Sequence, residues 1–310
     1  MVGRRETGIS LYHDACSVTN TYYPALTGGG GLTTLTTVMA YADTLPTQRK
    51  FGQTTRTDVW WLQPLLVFLG FAAFIIYSTW SGLQGNNYYL TEGGRDYLSP
   101  FYSPEIWGRP DFSWLGAAAP SWWPAFLPHF SPGFAVMWVP AAFRFTCYYY
   151  RGAYYKAFWA DPINCAVGEP RKTFLGERSF PLVMQNIHRY FLYLALVFIV
   201  LLTHDAWKGL WFKDAAGQAH FGLAVGSIVL ILNALLLASY TLGCHSLRHL
   251  VGGFLDSRSK SPACSKAYGC VGCLNQRHMM WAWISLFWVG FTDVYIRLCA
   301  MHIWHDYRFF

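Results

Sequence analysis

The residues best equipped for chemistry in this chain are soft sulfur and nitrogen donors that gather at one end of its apolar segments. The stretch GCHSLRHLVGG, residues 243–253, sets Cys244, His245 and His249 directly behind the run FGLAVGSIVLILNALLLASYTL. Cys147 stands in TCYYYR, Cys165 in PINCAVGEP and His188 in QNIHRYF. A further loop, CSKAYGCVGC with QRH close behind, carries Cys264, Cys270, Cys273 and His278. Any one of these thiols, taken alone, reads as a small buried hydrophobe. Their joint placement is harder to dismiss, because ionisable groups at membrane depth are costly and tend to be functional.

Three metal chemistries use such donors. Two thiolates on one iron and two imidazoles on the other hold a [2Fe–2S] centre of the Rieske kind. The Cys-x-x-Cys step of Cys270 and Cys273, with Cys264 and His278, is a zinc-like spacing. Haem b needs imidazoles on facing helices, and the middles of the apolar runs hold no histidine. That absence argues against two haems; one haem would pair His188 with His245, His249 or His278.

The elements that must position these groups are membrane helices. The 310 residues are 54% apolar, 19% aromatic and only 13% charged, where soluble domains carry about 25% charge. Five runs reach the roughly 20 residues that cross a bilayer: 58–82, 132–154, 183–203, 221–242 and 279–301. The expected fold is all-α, an integral membrane bundle of five transmembrane helices over residues 58–310, with a long outer loop. Residues 1–57, with the flexible stretch TGGGGLTTLTT, read as a cytoplasmic amino-terminal arm. Their start has no apolar core of the kind a cleaved signal needs, so the arm is expected to be retained.

Charge orients the bundle. With the amino terminus inside, 17 of the 23 Lys and Arg residues fall on the inner half, as the positive-inside rule requires of a multi-pass protein of the cytoplasmic membrane. The net charge of +7 then needs no nucleic-acid partner; topology and contact with anionic lipid account for it. All the sulfur and nitrogen donors named above lie on the inner half, whereas His129, His204, His220, Cys299, His302 and His305 scatter along the outer one. A reducing cytoplasm argues against disulfides among the inner thiols. The outer loop after the first run is rich in Trp, Tyr and Pro, which predicts a cap with rings at headgroup depth. Asp293 and Arg297 sit four apart on one face of the last run. Their spacing predicts a buried, mutually neutralising pair, the alternative being a proton path outward.

Five stretches in order, LSPFYSP, FRFTCYYYRGAYYKAFW, FPLVMQNIHRYFLY, GCHSLRH and RHMMWAWISLFWVGFTDVYIR, carry a resemblance. Across roughly residues 57 to 310 the chain resembles the single-chain membrane anchor of haem-free, actinobacterial-type succinate dehydrogenases. The resemblance implies a five-helix anchor that docks a flavoprotein and an iron–sulfur subunit on its cytoplasmic face. It also implies a membrane-embedded Rieske-like [2Fe–2S] cluster, and electron transfer to a quinone, expected to be menaquinone. Carried onto this sequence, the candidate ligands are Cys147, Cys165, His188, Cys244 and His249. The preferred set is Cys165 and Cys244 as thiolates with His188 and His249 as imidazoles, Cys147 in reserve. Arg144, Tyr148, Tyr149, Tyr150, Arg151 and His245 become quinone candidates, since Tyr donates a hydrogen bond and Arg stabilises a developing anion. The same Tyr and Arg residues serve equally well as interfacial anchors. No flavin- or dicarboxylate-binding signature is present, so the chain is not expected to be catalytic alone. A higher oligomer of the complex stays open.

Other readings fare worse. A haem b anchor of the same complex type, or a tether without redox chemistry, remains as an alternative. HSLRH has the His-x-x-x-His step of a diiron hydroxylase, but such sites need more histidines on one face than this chain supplies. A transporter needs broken helices with polar midplane sites, and the runs here are mostly smooth and apolar.

Overall fold

The computed structural model describes residues 50–109, 113–116, 121, 132–160, 163–170, 182–253 and 261–310. Nearly all of the expected amino-terminal arm, and much of the loop before residue 132, lie outside these residues. The helices are α1 (Leu62–Gln84), α2 (Pro132–Phe145), α3 (Tyr148–Tyr154), α4 (His188–Lys208), α5 (Val225–Leu242), α6 (His245–Gly252), α7 (Pro262–Gln276) and α8 (His278–Ala300). Two short antiparallel ribbons accompany them. In the first, β1 (Tyr89–Leu90) pairs with β2 (Tyr97–Leu98); in the second, β3 (Trp211–Lys213) pairs with β4 (Ala219–Phe221).

Four helices are long and apolar enough to cross a membrane: Leu62–Gln84, Val183–Lys208, Val225–Leu242 and His278–Ala300. A helix satisfies every backbone polar group from within, which hydrocarbon demands. Their exposed faces carry Leu66, Ile75, Ile76, Val197, Val200, Leu235 and Phe287, an outward apolar surface suited to lipid rather than water.

The run at 132–154 departs from the sequence expectation. It is two helices, 14 and 7 residues long, separated at Thr146 and Cys147. Pro140 lies within α2 and removes one backbone donor from the ladder. Thr146 then turns its hydroxyl back onto the Ala142 carbonyl at 2.8 Å, a local bond that competes with the helix. The break leaves Cys147 facing inward.

The described residues form two compact units. In the one that comprises the residues up to Leu65 with Tyr155–Phe174, the Gly52 N–H donates to the Gly168 carbonyl at 2.9 Å. There Arg56 also donates to Asn164 Oδ1 and to the Cys165 carbonyl, each at 3.1 Å. The other, Leu66–Tyr154 with Leu175–Phe310, holds the bundle. Within it α8 packs on α5, α5 on α4, and α4 on α2. One core cluster includes Phe71, Phe143, Cys147, Tyr150, Tyr240 and Cys244. The opposite end is filled by Tyr97, Phe212, Leu230 and Ile296, and beside them by Tyr88, Phe101 and Tyr102.

For two rings of the outer loop that second end departs from the expectation of headgroup depth, while Trp114 is exposed. Tyr97 and Tyr102 are fully buried, and they plug the bundle. Gly226 makes room, since a Cβ there would stand 2.4 Å from the Tyr97 ring. The Tyr97 hydroxyl shares a hydrogen bond with Ser227 Oγ at 3.0 Å, and Tyr102 donates to the Ser81 carbonyl at 2.7 Å. Asp306 fastens the carboxyl-terminal tail to the same end. It accepts from Arg95 Nε at 2.5 Å, Tyr295 Oη at 2.7 Å and the Gly226 N–H at 2.8 Å, the last at the start of α5, where a helix dipole favours an anion.

Asp293 and Arg297 form the buried pair that their spacing predicts. Asp293 accepts from Tyr77 Oη at 2.6 Å, Ser81 Oγ at 2.7 Å and Ser99 Oγ at 2.5 Å, while Arg297 Nε stands 3.4 Å away. Three hydroxyls therefore do more for the carboxylate than the guanidinium does. Arg297 reaches on to Ser81 Oγ at 2.7 Å and the Asn86 carbonyl at 2.9 Å. Removing one partner of such a pair strands a buried charge, at about 3–5 kcal/mol. Asp293→Ala is expected to lower the thermal unfolding temperature of the detergent-solubilised protein more than the double variant Asp293→Ala/Arg297→Met. Equal losses would show that Arg297 draws its support from its other partners.

Candidate metal centre

Four chain segments converge at one end of the bundle. The α2–α3 break presents Cys147, the start of α4 presents His188, the α5–α6 elbow presents Cys244, and the start of α8 presents His278. Cys147, Cys244 and His188 are buried. His188 Nε2 lies 3.1 Å from Cys244 Sγ, and His278 Nε2 lies 3.6 Å from Cys147 Sγ. The result is two sulfur–nitrogen pairs.

The surroundings fix how each ring is held. Thr146 spends its only hydroxyl proton on the Ala142 carbonyl, so at 2.9 Å it accepts from His188 Nδ1–H. That assignment leaves the lone pair on Nε2, aimed at Cys244. The ring stacks on Phe143, with centroids 4.6 Å apart and planes 10° from parallel. His278 stacks on Tyr240 at 4.9 Å and 16°. Its Nδ1 is buried with no hydrogen-bond partner among the described residues. Burial, seconded by the nearby charge of Cys147, pushes the Cys244 thiol up to about 11. The thiol is thus protonated at neutral pH, and any metal it binds must displace that proton.

Among the described residues, no three His, Cys, Asp or Glu side chains converge as a single ion requires. A binuclear cluster asks for something else, two protein ligands on each of two irons. Here each pair is mixed, one thiol with one imidazole, whereas a Rieske-type centre takes both thiolates on one iron and both imidazoles on the other.

The set differs from the one expected. Cys165 is disulfide-bonded, against the expectation of no disulfide among the inner thiols, so it has no thiolate to offer. His249 is exposed on α6, its Nε2 3.0 Å from that of His245. The reason is geometric. Cys244 caps α6 in an extended conformation and turns inward with Leu247, which is buried; residues one and five positions on share the opposite face. Cys147, held in reserve, lies in one of the two pairs, and it is His278 rather than His249 that faces it. The zinc-like loop is also pulled apart, with Cys270 and Cys273 exposed on α7, Cys264 half-buried, and His278 turned to Cys147. The signal for His278 was present in the sequence, since it opens the last apolar run at the depth at which His188 opens the third.

The quinone candidates divide. Arg144 is drawn inward, donating to Tyr150 Oη at 2.5 Å, the Ala282 carbonyl at 3.2 Å and Ser285 Oγ at 2.9 Å. It also lies over the Tyr240 ring at 4.6 Å. Tyr149 accepts from Trp283 Nε1 at 2.7 Å. Arg151 is buried with its guanidinium 4.2 Å from the centroid of the exposed Tyr148 ring. His245 sits with His249 on the exposed side of α6. Burial lowers the His245 affinity for a proton, and the charges of His249 and Arg248 lower it further.

Comparison with known proteins fits this architecture. A chain of the Mycobacterium smegmatis Sdh1 complex in the apo form is 41% identical, with a TM-score of 0.74 over 86% of this chain and 98% of that one. Among curated proteins, none matches. The family model described as actinobacterial succinate dehydrogenase subunit SdhC matches residues 62–302. With the bundle, the inward cysteines and histidines and this match together, the chain belongs to the actinobacterial SdhC family, as a membrane subunit of succinate dehydrogenase.

Proposed function

We propose that this subunit anchors the flavoprotein and iron–sulfur subunits at the cytoplasmic membrane and relays succinate's electrons to a quinone, with Cys147, Cys244, His188 and His278 holding a Rieske-like [2Fe–2S] centre. One observation carries the reading: two buried sulfur–nitrogen pairs meet from four separate segments at one end of a lipid-exposed bundle. The donor types match the group, and the mixed pairs would regroup on binding, both sulfurs to one iron and both nitrogens to the other. The donors are two thiols and two imidazoles, one imidazole has its tautomer set by Thr146, and the other has a buried Nδ1 left over.

A [2Fe–2S] centre with two imidazoles supplies one-electron transfer at about −150 to +300 mV, against about −400 mV for an all-cysteine ferredoxin. Succinate is a weak reductant, so the higher range suits it. The protein's own part is positional. Thr146 orients His188, while Phe143 and Tyr240 cover the ring faces and keep water away. Arg144 and Tyr150 bind α2 and α3 to α8 through the Ala282 carbonyl, so that Cys147 and His278 stay in register. Arg144 and Tyr149, beside Cys147, are the donors best placed for a quinone headgroup such as menaquinone, the Tyr150 proton being already given to the Ala282 carbonyl.

Topology follows the charge distribution, with the amino terminus cytoplasmic. α2 and α3 together serve as a fifth crossing, the two short helices continuing through the Thr146–Cys147 break. The cluster end then faces the soluble subunits.

Two experiments test the relay. Purified complex is expected to give the rhombic paramagnetic resonance signal of a His-ligated [2Fe–2S] centre, lost in Cys147→Ser, Cys244→Ser, His188→Ala and His278→Ala, and kept in His249→Ala. A signal that survives His278→Ala but vanishes in His249→Ala restores the other ligand set, and zinc without iron leaves a tether. Thr146→Val removes the acceptor that sets the His188 tautomer. Loss of such an outer-shell partner is expected to weaken iron retention by about 10–100-fold and to alter how the centre's midpoint potential varies with pH. An unchanged potential profile would deny Thr146 any orienting role.

A further inference from the structure

At the far end of α4 from His188, a cavity of about 330 Å³ opens between that helix and the loop after β2. Its apolar wall includes Leu98, Pro104, Val200 and Leu201, with Trp114 beside them. Val200 and Trp114 are 68% and 64% exposed, so the cavity mouth meets the lipid-facing surface. The polar lining is charged in both senses, with Glu105 and Asp205 set against His204 and Lys208.

Glu105 is the informative group. It is 1% exposed. Its Oε1 accepts from Tyr88 Oη at 2.5 Å and from the Arg109 N–H at 3.1 Å. Its Oε2 is buried with no hydrogen-bond partner among the described residues. A buried acceptor left unmatched costs about 1–3 kcal/mol, more when charged, and so calls for a donor. Burial also raises the Glu105 carboxyl above its ordinary range, a displacement that a bound cation would offset. Asp205 accepts from Ser103 Oγ and has His204 Nδ1 at 3.8 Å from its other oxygen.

We propose that this cavity seats the headgroup of a zwitterionic phospholipid with a primary amine. The ammonium supplies N–H donors to Glu105 Oε2 and Asp205. The phosphate lies toward Lys208 and His204 at the mouth, and the acyl chains run down Val200 and Leu201. A purely anionic headgroup would set its charge against two carboxyls. A quaternary amine carries a charge but has no N–H for Oε2. The mix of charges and the opening toward lipid distinguish this occupant from an uncharged one.

The test uses the whole complex in nanodiscs of equal parts phosphatidylethanolamine, phosphatidylcholine and phosphatidylglycerol with matched acyl chains. Native mass spectrometry then reads the lipids retained. About tenfold enrichment of phosphatidylethanolamine over the other two is expected, falling to parity in Glu105→Gln. That variant keeps Oε1 for Tyr88 and Arg109 and replaces the orphan oxygen with an amide. Leu201→Trp, on the half-exposed wall, fills the cavity without touching the carboxyls and is expected to remove the enrichment as well. Equal retention of phosphatidylcholine, preferential retention of phosphatidylglycerol, or an enrichment that survives both variants overturns the proposal.

Discussion

Inside a bilayer a chain can leave its helix only where other groups satisfy the backbone it exposes, and the candidate centre depends on one such departure. At Thr146 and Cys147 the backbone is kept busy. The Cys147 N–H reaches the Arg144 carbonyl at 3.1 Å, and the Cys147 carbonyl receives the Arg151 N–H at 2.9 Å. The side chains on either side then fasten the break to α8, with Arg144 and Tyr150 both donating to the Ala282 carbonyl. Without the interruption, α2 would carry Cys147 onward along a regular face. With it, the thiol is turned toward His278 and the hydroxyl of Thr146 toward His188. A single local break thus positions one sulfur donor and orients an imidazole on another helix.

Much of the bundle was legible because long apolar runs leave few alternatives. The runs at 58–82, 183–203, 221–242 and 279–301 correspond to helices at Leu62–Gln84, Val183–Lys208, Val225–Leu242 and His278–Ala300. The run at 132–154 looked equally smooth, since what divides it is a hydroxyl bonded to the previous turn and to a residue 42 positions away. Hydropathy carries no such information. The buried carboxylate at Asp293 was likewise visible from spacing, but the three hydroxyls that hold it come from α1 and from the loop after β2, and no local pattern announces them.

The inward-facing cysteines and histidines were half legible for a related reason. Cys244 and His188 sit at run ends whose direction the helices dictate. His249 carried the appeal of a motif shared with Cys244, yet which side of a short helix faces inward is decided by its cap. Once Cys244 and Leu247 turn in, His245 and His249 must turn out. His278 was obscured by its neighbours, because the Cys-x-x-Cys step nearby supplied a competing use for it. In the outer loop Tyr97 and Tyr102 depart from expectation, whereas Trp114 stays exposed. Tyr and Trp have amphipathic rings that suit a membrane boundary, and only the glycine opposite Tyr97 marks that ring as one to be swallowed by the bundle.

α8 binds these features into one element. It starts with an imidazole facing a thiol and, four turns later, carries a carboxylate held by hydroxyls. The two ends solve the problem of buried polarity differently. At Asp293 every partner is a fixed donor from the protein, which makes a rigid plug and leaves nothing for an exogenous ligand. At His278 the nitrogen that faces away from Cys147 has no partner among the described residues, and at His188 the inward lone pair meets a thiol hydrogen. A thiol hydrogen is a weak donor that a metal can replace, with the sulfur then binding as thiolate. Soft, exchangeable contacts at one end and saturated hard ones at the other are the pattern expected of a helix anchored at its Asp293 end so that chemistry can take place at its beginning.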